Sequence, residues 1–109
     1  MSVIDLNEME EKEIVPGCWA KFIHSENLTV AYWNIKANYT LPEHKHPHEQ
    51  IVNVIAGKLE LTIEGKPYLA EPGKVFILPP NLNHSGKGLT DCRVIDVFYP
   101  VREDYKKSD

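Results

Sequence analysis

The sequence predicts an all-β fold, a small barrel built from short strands. Residues 58–64 alternate polar and apolar side chains at every step, which is the pattern of a strand with one buried face. Other short segments rich in β-branched and aromatic residues lie before and after it. Turn residues separate these segments about every eight to twelve positions, a rhythm typical of sandwiches and barrels.

The predicted strands are short apolar segments bounded by Gly, Pro, Asn or other polar turn residues. They span residues 19–23, 28–37, 58–64, 68–70, 75–78 and 93–99. Turns are predicted at 65–67 and 71–73, where Gly and Pro interrupt the strand pattern. Helical character is confined to residues 5–13 and to the last few residues.

The composition predicts a single globular domain over residues 1–109. Hydrophobic residues make up 42% of the chain and charged residues 26%, and this length can bury a core without disulfides. The net charge of −4 and the scattered Lys and Arg residues argue against a nucleic-acid partner or an anionic membrane surface.

The cytoplasm is the expected location. No apolar run approaches the ~20 residues that cross a bilayer, and the acidic, polar first residues do not resemble a secretory signal. Cys18 and Cys92 lie far apart beside apolar neighbours. In a reducing compartment they are expected to be buried and not joined by a disulfide.

Three histidines give the strongest chemical signal in the sequence. His44 and His46 are two positions apart, so in an extended strand their imidazoles point to the same face. A barrel can bring His84, from a distant segment, to the same place. Neutral imidazole is a common metal ligand, so we predict that these three bind one divalent ion, against the alternative of a solvated loop. His24 is expected to have no metal role, and His48 to support the site from outside or to be exposed.

Two adjacent residues compete as the fourth ligand. Glu49 offers a carboxylate, which would neutralise part of the charge of the ion. Gln50 shares its parity with the inward-facing Val52 and Val54, which favours the amide. Three imidazoles and an amide leave the charge uncompensated, so the ion is a strong Lewis acid. The set lacks the two-histidine, one-carboxylate arrangement of many oxygen-activating iron sites, which favours non-redox chemistry.

The last predicted strand contains a carboxylate among apolar residues. Burying the Asp96 carboxylate there costs free energy unless it has a charge partner or a functional role, and Asp96 shares a face with Phe98. The chain continues to Arg102, which brings a guanidinium to the same end of the strand. An acid, an aromatic ring and an arginine beside a metal suit a small polar substrate whose carboxylate Arg102 would bind bidentately. The alternative is a surface Asp96 on an edge strand, turned out or salt-bridged.

The spacing of these residues resembles the paired signature of the cupins, which are double-stranded β-helix or jelly-roll barrels. The first half is His44-x-His46-x3-Gln50-x6-Gly57, and the second half is Gly73-x5-Pro79-x-Asn81-x2-His84. The sequence departs from that signature in three places: Gln50 stands where glutamate is usual, Asn81 where glycine is usual, and Gly88 where a closing asparagine is expected. The resemblance covers about residues 30–100 and implies a cupin jelly-roll barrel with its metal site in this core.

A further resemblance narrows the family. Residues 44–50 and 96–105 are similar to the small KdgF-type cupins of pectin and alginate breakdown. Those enzymes convert 4,5-unsaturated monouronates, released by polysaccharide lyases, into linear 5-keto-4-deoxyuronates. The resemblance implies these metal ligands: His44, His46, Gln50 and His84. It also implies an active-site acid, aromatic residue and arginine at Asp96, Phe98 and Arg102, for which we expect proton transfer, packing on the sugar face and binding of the C6 carboxylate.

Two other functions fit the same residues. One is a metal-containing binding or sensor protein without turnover, and the other is a cupin-type oxygenase, which would hold iron and consume oxygen. The sequence leaves Zn, Ni, Fe and Mn open as the ion. Small barrels of this type commonly form homodimers, with which the apolar pairs Val3-Ile4 and Ile14-Val15 are compatible.

Overall fold

The structure, a computed structural model, describes residues 1–106, which form ten strands and two short helical turns. The strands are β1 Lys12–Val15, β2 Cys18–His24, β3 Thr29–Ile35, β4 Thr40–His44, β5 Glu49–Ala56, β6 Leu59–Ile63, β7 Lys66–Ala70, β8 Val75–Leu78, β9 His84–Gly88 and β10 Cys92–Tyr99. A 3-10 turn at Leu6–Glu8 precedes them, and the helix α1 at Glu103–Lys106 follows them.

The described strands pair antiparallel and form two sheets. The larger sheet has the order β1-β2-β3-β10-β5-β8, and the smaller has the order β4-β9-β6-β7. One buried apolar cluster receives side chains from both sheets, as in a sandwich or barrel. The all-β prediction is therefore confirmed.

The inward residues of the central strands line the interior. In β3 and β10 every second residue is buried. Because β10 lies between β3 and β5, it is a central strand and not an edge strand. Its inward positions include Asp96 and Phe98, which places a carboxylate inside the fold.

The predicted strand 75–78 matches β8, and the other predicted strands differ from the observed ones by a few residues. The predicted turn at 65–67 is present but lies one to two residues earlier in the chain. The turn is Glu64–Gly65, where both residues have positive φ, 49° and 80°, and where Ile63 pairs with Lys66. A two-residue hairpin of this kind matches the twist of its strands, and Pro67 is tolerated because β7 is an edge strand.

The helical prediction for residues 5–13 is mostly wrong. Only Leu6–Glu8 makes a 3-10 turn, in which the Asp5 carboxylate accepts a hydrogen bond from the Asn7 amide at 2.9 Å. From Lys12 the chain is β1, because pairing with β2 outweighs local preference. At the other end α1 fits the prediction, and residues 107–109 lie outside the described residues.

Cys18 and Cys92 are buried and free, as predicted. Both pair with Ile35 of β3, one from each neighbouring strand, so two strand spacings separate them. That separation is too large for a disulfide. No helix within residues 1–106 has the length and apolar character needed to cross a membrane.

Candidate metal centre and catalytic cavity

The pairing of β4 with β9 brings two of the predicted ligands together. His44 is the last residue of β4 and His84 the first of β9, and the register places them directly opposite each other. Their ring centroids are 4.3 Å apart. His46 completes the group, with its ring 5.5 Å from that of His44 and 5.0 Å from that of His84. One nitrogen from each ring lies within 4.8 Å of the others, an arrangement that can hold one metal ion.

His46 lies in the irregular segment after β4 and not in the strand itself. The strand β4 ends at His44, so the expected alternation along one strand does not apply to His46. Instead the His46 carbonyl accepts a hydrogen bond from the Asn81 amide at 2.8 Å, which connects this irregular segment to the segment before β9. Asn81 has a φ of 64°, and asparagine tolerates this left-handed conformation better than most residues, which explains how it replaces the usual glycine.

Backbone carbonyls fix the tautomer of all three imidazoles, that is, which ring nitrogen carries the hydrogen. Each Nδ1 lies within hydrogen-bond distance of a carbonyl oxygen: Pro42 at 2.7 Å for His44, His48 at 3.1 Å for His46 and Leu82 at 2.8 Å for His84. Because a carbonyl only accepts, each Nδ1 carries the proton and each Nε2 presents a lone pair. The Nε2 atom of His84 is buried and has no hydrogen-bond partner within residues 1–106. Such an atom is available to bind a metal ion.

Gln50 lies in the interior beside the imidazoles, and Glu49 does not. Gln50 is 5% exposed on the inward face of β5, whereas Glu49 is exposed. The Gln50 Oε1 atom is 3.0 Å from the His46 Nε2 atom, so two lone pairs face each other. Burial, followed by the nearby Arg102 charge, lowers the pKa of His46 to about 4, so a proton does not bridge them at neutral pH. A shared cation would satisfy both lone pairs, since adjacent ligands at about 2.1 Å from an ion lie roughly 3 Å apart.

Asp96 faces this group from β10. It is 6% exposed, and burial raises its pKa to about 7, although the Gln50 amide, the Trp33 indole and Arg102 each act to lower it. Asp96 Oδ1 and Trp33 Nε1 are both buried without a hydrogen bond of normal geometry in the described part of the chain. A group near neutral pKa with a free oxygen can both take and give a proton. Gln50 therefore lies between the candidate metal site and the acid.

Phe98 and Arg102 lie against the histidines. Phe98 is 1% exposed, and its ring is 5.6 Å from that of His46. The Arg102 guanidinium lies 4.8 Å from the Phe98 ring centroid and 4.0 Å from that of Tyr105. Its Nε and Nη2 atoms donate to the two carboxylate oxygens of Asp104 at 2.9 and 2.7 Å. Its Nη1 atom is buried without a hydrogen bond of normal geometry among the described residues, and the Tyr105 hydroxyl lies close to the guanidinium.

These groups surround one cavity and its mouth. The inner cavity has a volume of about 460 Å³, which includes open solvent, and Gln50, His84, Asp96 and Phe98 are among the residues that line it. An adjacent outer cleft of about 1100 Å³, which also includes open solvent, is lined by Arg102 and shares His44 and Tyr105 with the inner cavity. An apolar pocket with a few converging polar groups is the usual form of a small-molecule site. The predicted site residues thus come together. The edge of Arg102 that could bind a substrate carboxylate through two hydrogen bonds, Nε and Nη2, is already occupied by Asp104.

Sequence reasoning missed three residues of this site: Trp33, Tyr105 and Asp104. Trp33 occurs on the inward face of β3, so its burial was predictable, but only the fold places its N–H in the cavity. Tyr105 lines both the cavity and the cleft, and nothing in the strand pattern marks it or Asp104.

The other two histidines, His48 and His24, lie outside the cluster of three imidazoles, as expected. His48 is half-buried, with its ring 5.4 Å from that of His46 and its carbonyl as the acceptor for His46 Nδ1. His24 lies on β2, with its Nδ1 2.9 Å from the Thr29 hydroxyl. Neither belongs to the group of imidazoles that can share an ion.

Known proteins share this fold and part of the sequence. The cupin domain family matches residues 31–98, and the chain belongs to that family. A solved structure of KdgF from Halomonas sp. superposes with a TM-score of 0.89 at 29% identity, covering 95% of this chain and 99% of that chain. The pectin degradation protein KdgF of Dickeya dadantii (strain 3937) is 38% identical over 64 residues, covering 57% of this chain and 58% of that protein.

A second curated relative carries a different name. H2HPP isomerase of Bacillus subtilis is 27% identical over 106 residues, covering 94% of this chain and 45% of that protein. The chain therefore spans about half the length of these two curated relatives. The cupin jelly-roll prediction and the resemblance to KdgF-type cupins are confirmed.

The metal prediction is tested by removing one ligand. We expect the purified protein to bind one divalent ion per chain, and His84→Ala to bind it at least about 100-fold more weakly, because one of the three imidazoles is lost. Calorimetric titration with Zn²⁺ and Ni²⁺ measures the affinity, and elemental analysis measures the stoichiometry. His24→Gln removes a histidine outside the cluster and serves as the control. Equal affinity in His84→Ala would rule out the site.

The raised pKa of Asp96 predicts a pH-dependent stability difference. Its pKa is about 7 in the folded metal-free protein against an ordinary value of 3.8, so the folded state binds this proton more tightly than the unfolded state. The contribution of Asp96 to stability therefore falls as the pH rises from about 4 to about 7. Asp96→Asn lacks this titration, so metal-free Asp96→Asn should gain stability over metal-free wild type across that window, by at most roughly 4 kcal/mol.

Urea unfolding of both metal-free proteins between about pH 4 and pH 8 measures this difference. His46, whose pKa is lowered, titrates with the opposite sign in the lower part of the window. Since His46 is present in both proteins, the difference between them isolates Asp96. A difference that does not change with pH would show that the Asp96 carboxyl titrates normally.

Proposed function

We propose that this protein converts 4,5-unsaturated monouronates into linear 5-keto-4-deoxyuronates by metal-dependent ring opening and ketonisation. The observation that carries the proposal is a buried acid that faces three converging imidazoles and an amide across one cavity. The likeness to KdgF of Halomonas sp. and of Dickeya dadantii supports the same substrate class.

The reaction needs proton transfer and no electron transfer. The C1 hydroxyl loses its proton, the bond between C1 and the ring oxygen breaks as the C1 aldehyde forms, and the ring oxygen becomes the enol oxygen on C5. A proton is then added to C4 as the C5 ketone forms. Atoms and electrons balance without a co-reactant. The name of the Bacillus relative, an isomerase, is compatible with chemistry of this kind.

Asp96 is the acid/base in this proposal. Burial raises its pKa to about 7 in the metal-free protein, and a nearby ion would act in the opposite direction, which suits a group that must take one proton and give another. Its free oxygen borders the cavity. The Gln50 amide next to it holds the carboxyl on the side of the imidazoles.

The other site residues bind and orient the substrate. Phe98 packs against the sugar face, and Arg102 binds the C6 carboxylate through Nη1, since Asp104 occupies the Nε and Nη2 edge. His44, His46, Gln50 and His84 would hold the ion. When bound, a divalent ion supplies Lewis acidity toward the substrate oxygens and the developing enolate charge.

The proposal is tested with an unsaturated monouronate and metal-loaded protein. Wild type is expected to accelerate the loss of the near-ultraviolet absorbance of the ring double bond above the spontaneous rate. Asp96→Asn is expected to lose at least about 100-fold in rate while it keeps one ion per chain, because it cannot shuttle a proton. Asp91→Asn, an exposed aspartate that accepts a hydrogen bond through Oδ1, is the matched control.

The outcomes separate the competing functions. No acceleration by metal-loaded wild type, together with oxygen consumption by the iron form, would favour the oxygenase. No acceleration and no oxygen consumption, with a uronate bound, would favour the binding or sensor protein. Full turnover by Asp96→Asn would leave the reaction in place and overturn the role of Asp96.

We also propose that the protein works in the cytoplasm as a homodimer. Val75 and Ile77 on the edge strand β8 are 56% and 69% exposed, and Val3 near the N-terminus is 83% exposed. Apolar side chains on an edge strand favour association with another chain. Light scattering after size exclusion is expected to give the mass of two chains, and Ile77→Lys to shift it toward one. A single-chain mass for wild type would contradict the dimer.

A further inference from the structure

The Arg102 side chain is buried, but its charge partner is at the surface. Its side chain is 6% exposed, whereas that of Asp104 is 59% exposed. The guanidinium lies close to two aromatic rings, Phe98 and Tyr105, at 4.8 and 4.0 Å from their centroids. A buried cation needs a compensating charge, and Asp104 provides one at the rim of the outer cleft.

Two contacts fix the direction in which the guanidinium points. The Nε and Nη2 atoms of Arg102 both donate to Asp104, which defines the plane of the group. The Arg102 amide donates to the hydroxyl of Thr29 at 2.8 Å, and Thr29 is fully buried, so the backbone is anchored as well. The one nitrogen left without a hydrogen bond of normal geometry among residues 1–106 is Nη1, which is buried, and the Tyr105 hydroxyl is the other polar group close to the guanidinium.

The surroundings of Arg102 favour a second anion. Arg102 lines the outer cleft together with His44, His46 and His48, and the Phe98 ring lies 4.8 Å from the guanidinium and 5.6 Å from the His46 ring. A divalent ion at the imidazoles would add positive charge to the same region. Asp104 and Asp96 together carry at most two negative charges against the three positive charges of Arg102 and a divalent ion, so a negatively charged substrate group at Nη1 is electrostatically favoured.

We propose that Asp104 is a positioning residue that sets the preference of the site for acidic sugars over neutral ones. It holds Arg102 by one edge, so that Nη1 is presented to a carboxylate in the cleft and the guanidinium does not turn away. This inference rests on the proposed function, in which Arg102 binds the substrate carboxylate.

Steady-state kinetics of Asp104→Asn on an unsaturated monouronate provide the first test. We expect KM to rise about 10-fold and kcat to change less than about 3-fold, because a group that only orients a binding residue acts on ground-state and transition-state binding alike. Asp104→Glu keeps the charge one methylene further out and should raise KM by about 3-fold. Glu103→Gln on the same helix, whose carboxylate pairs with Lys106 at 3.6 Å, is the matched control and should behave as wild type.

Binding of a saturated sugar gives a readout that does not depend on turnover. Calorimetry with galacturonate and with neutral galactose measures the preference for the acid in metal-loaded protein. We expect wild type to prefer galacturonate, and Asp104→Asn to lose most of that preference. Thermal melts of each variant show whether it is folded, and if Asp104→Asn does not fold, the comparison of Asp104→Glu with Glu103→Gln decides.

The results distinguish this inference from the proposed function. A folded Asp104→Asn with unchanged KM and unchanged galacturonate affinity would show that Asp104 is only structural, whatever its melting temperature. If wild type binds galacturonate through Asp104 but does not turn over the unsaturated acid, the proposed function fails and the role of Asp104 stands. If wild type binds neither acid in preference to galactose, the inference is wrong.

Discussion

The chemistry of this protein depends on buried polar atoms that the fold leaves without partners. His84 Nε2, Asp96 Oδ1, Trp33 Nε1 and Arg102 Nη1 all lie around the same cavity or its mouth, and none has a hydrogen bond of normal geometry in the described residues. A folded chain leaves such atoms unpaired at a cost of about 1–3 kcal/mol each unless a ligand satisfies them. Their clustering marks where an ion and a substrate carrying an acid group and hydroxyls would be held.

Gln50 connects the two halves of this arrangement. Its oxygen faces His46 and its amide lies next to Asp96, so one neutral side chain contacts both the candidate metal ligands and the acid. A glutamate here, which is usual in the family, would place a second carboxylate beside Asp96. Two buried carboxylates repel, and one of them would then tend to remain protonated. The amide would leave the charge of an ion to act on a substrate, and within residues 1–106 Asp96 is the one carboxyl that lines the inner cavity.

Rigid neighbours hold each of these groups. The His44–His84 contact follows from the register of β4 and β9, and the Asp96 and Phe98 positions follow from the alternation of the central strand β10. The three Nδ1 hydrogen bonds to backbone carbonyls fix the rings without using any side chain. Sites supported in this way remain in a productive geometry before a ligand arrives. The barrel thus holds these polar groups in place, although residues 1–106 do not supply a hydrogen-bond partner for each of their buried atoms.

The sequence by itself determined the features that depend on local periodicity. Alternation gave the strands and the inward faces of Asp96, Phe98 and Gln50, and spacing singled out the histidines, because side-chain direction in a strand repeats every two residues. Only the tertiary structure decided what depends on contacts between distant segments. The irregular segment that carries His46 is held by a hydrogen bond from Asn81, and not by the pleat of a strand. Asp104 binds one edge of the Arg102 guanidinium, and Trp33 and Tyr105 line the cavity. No local pattern encodes these, because each is set by how separate elements pack and by which polar atoms that packing satisfies.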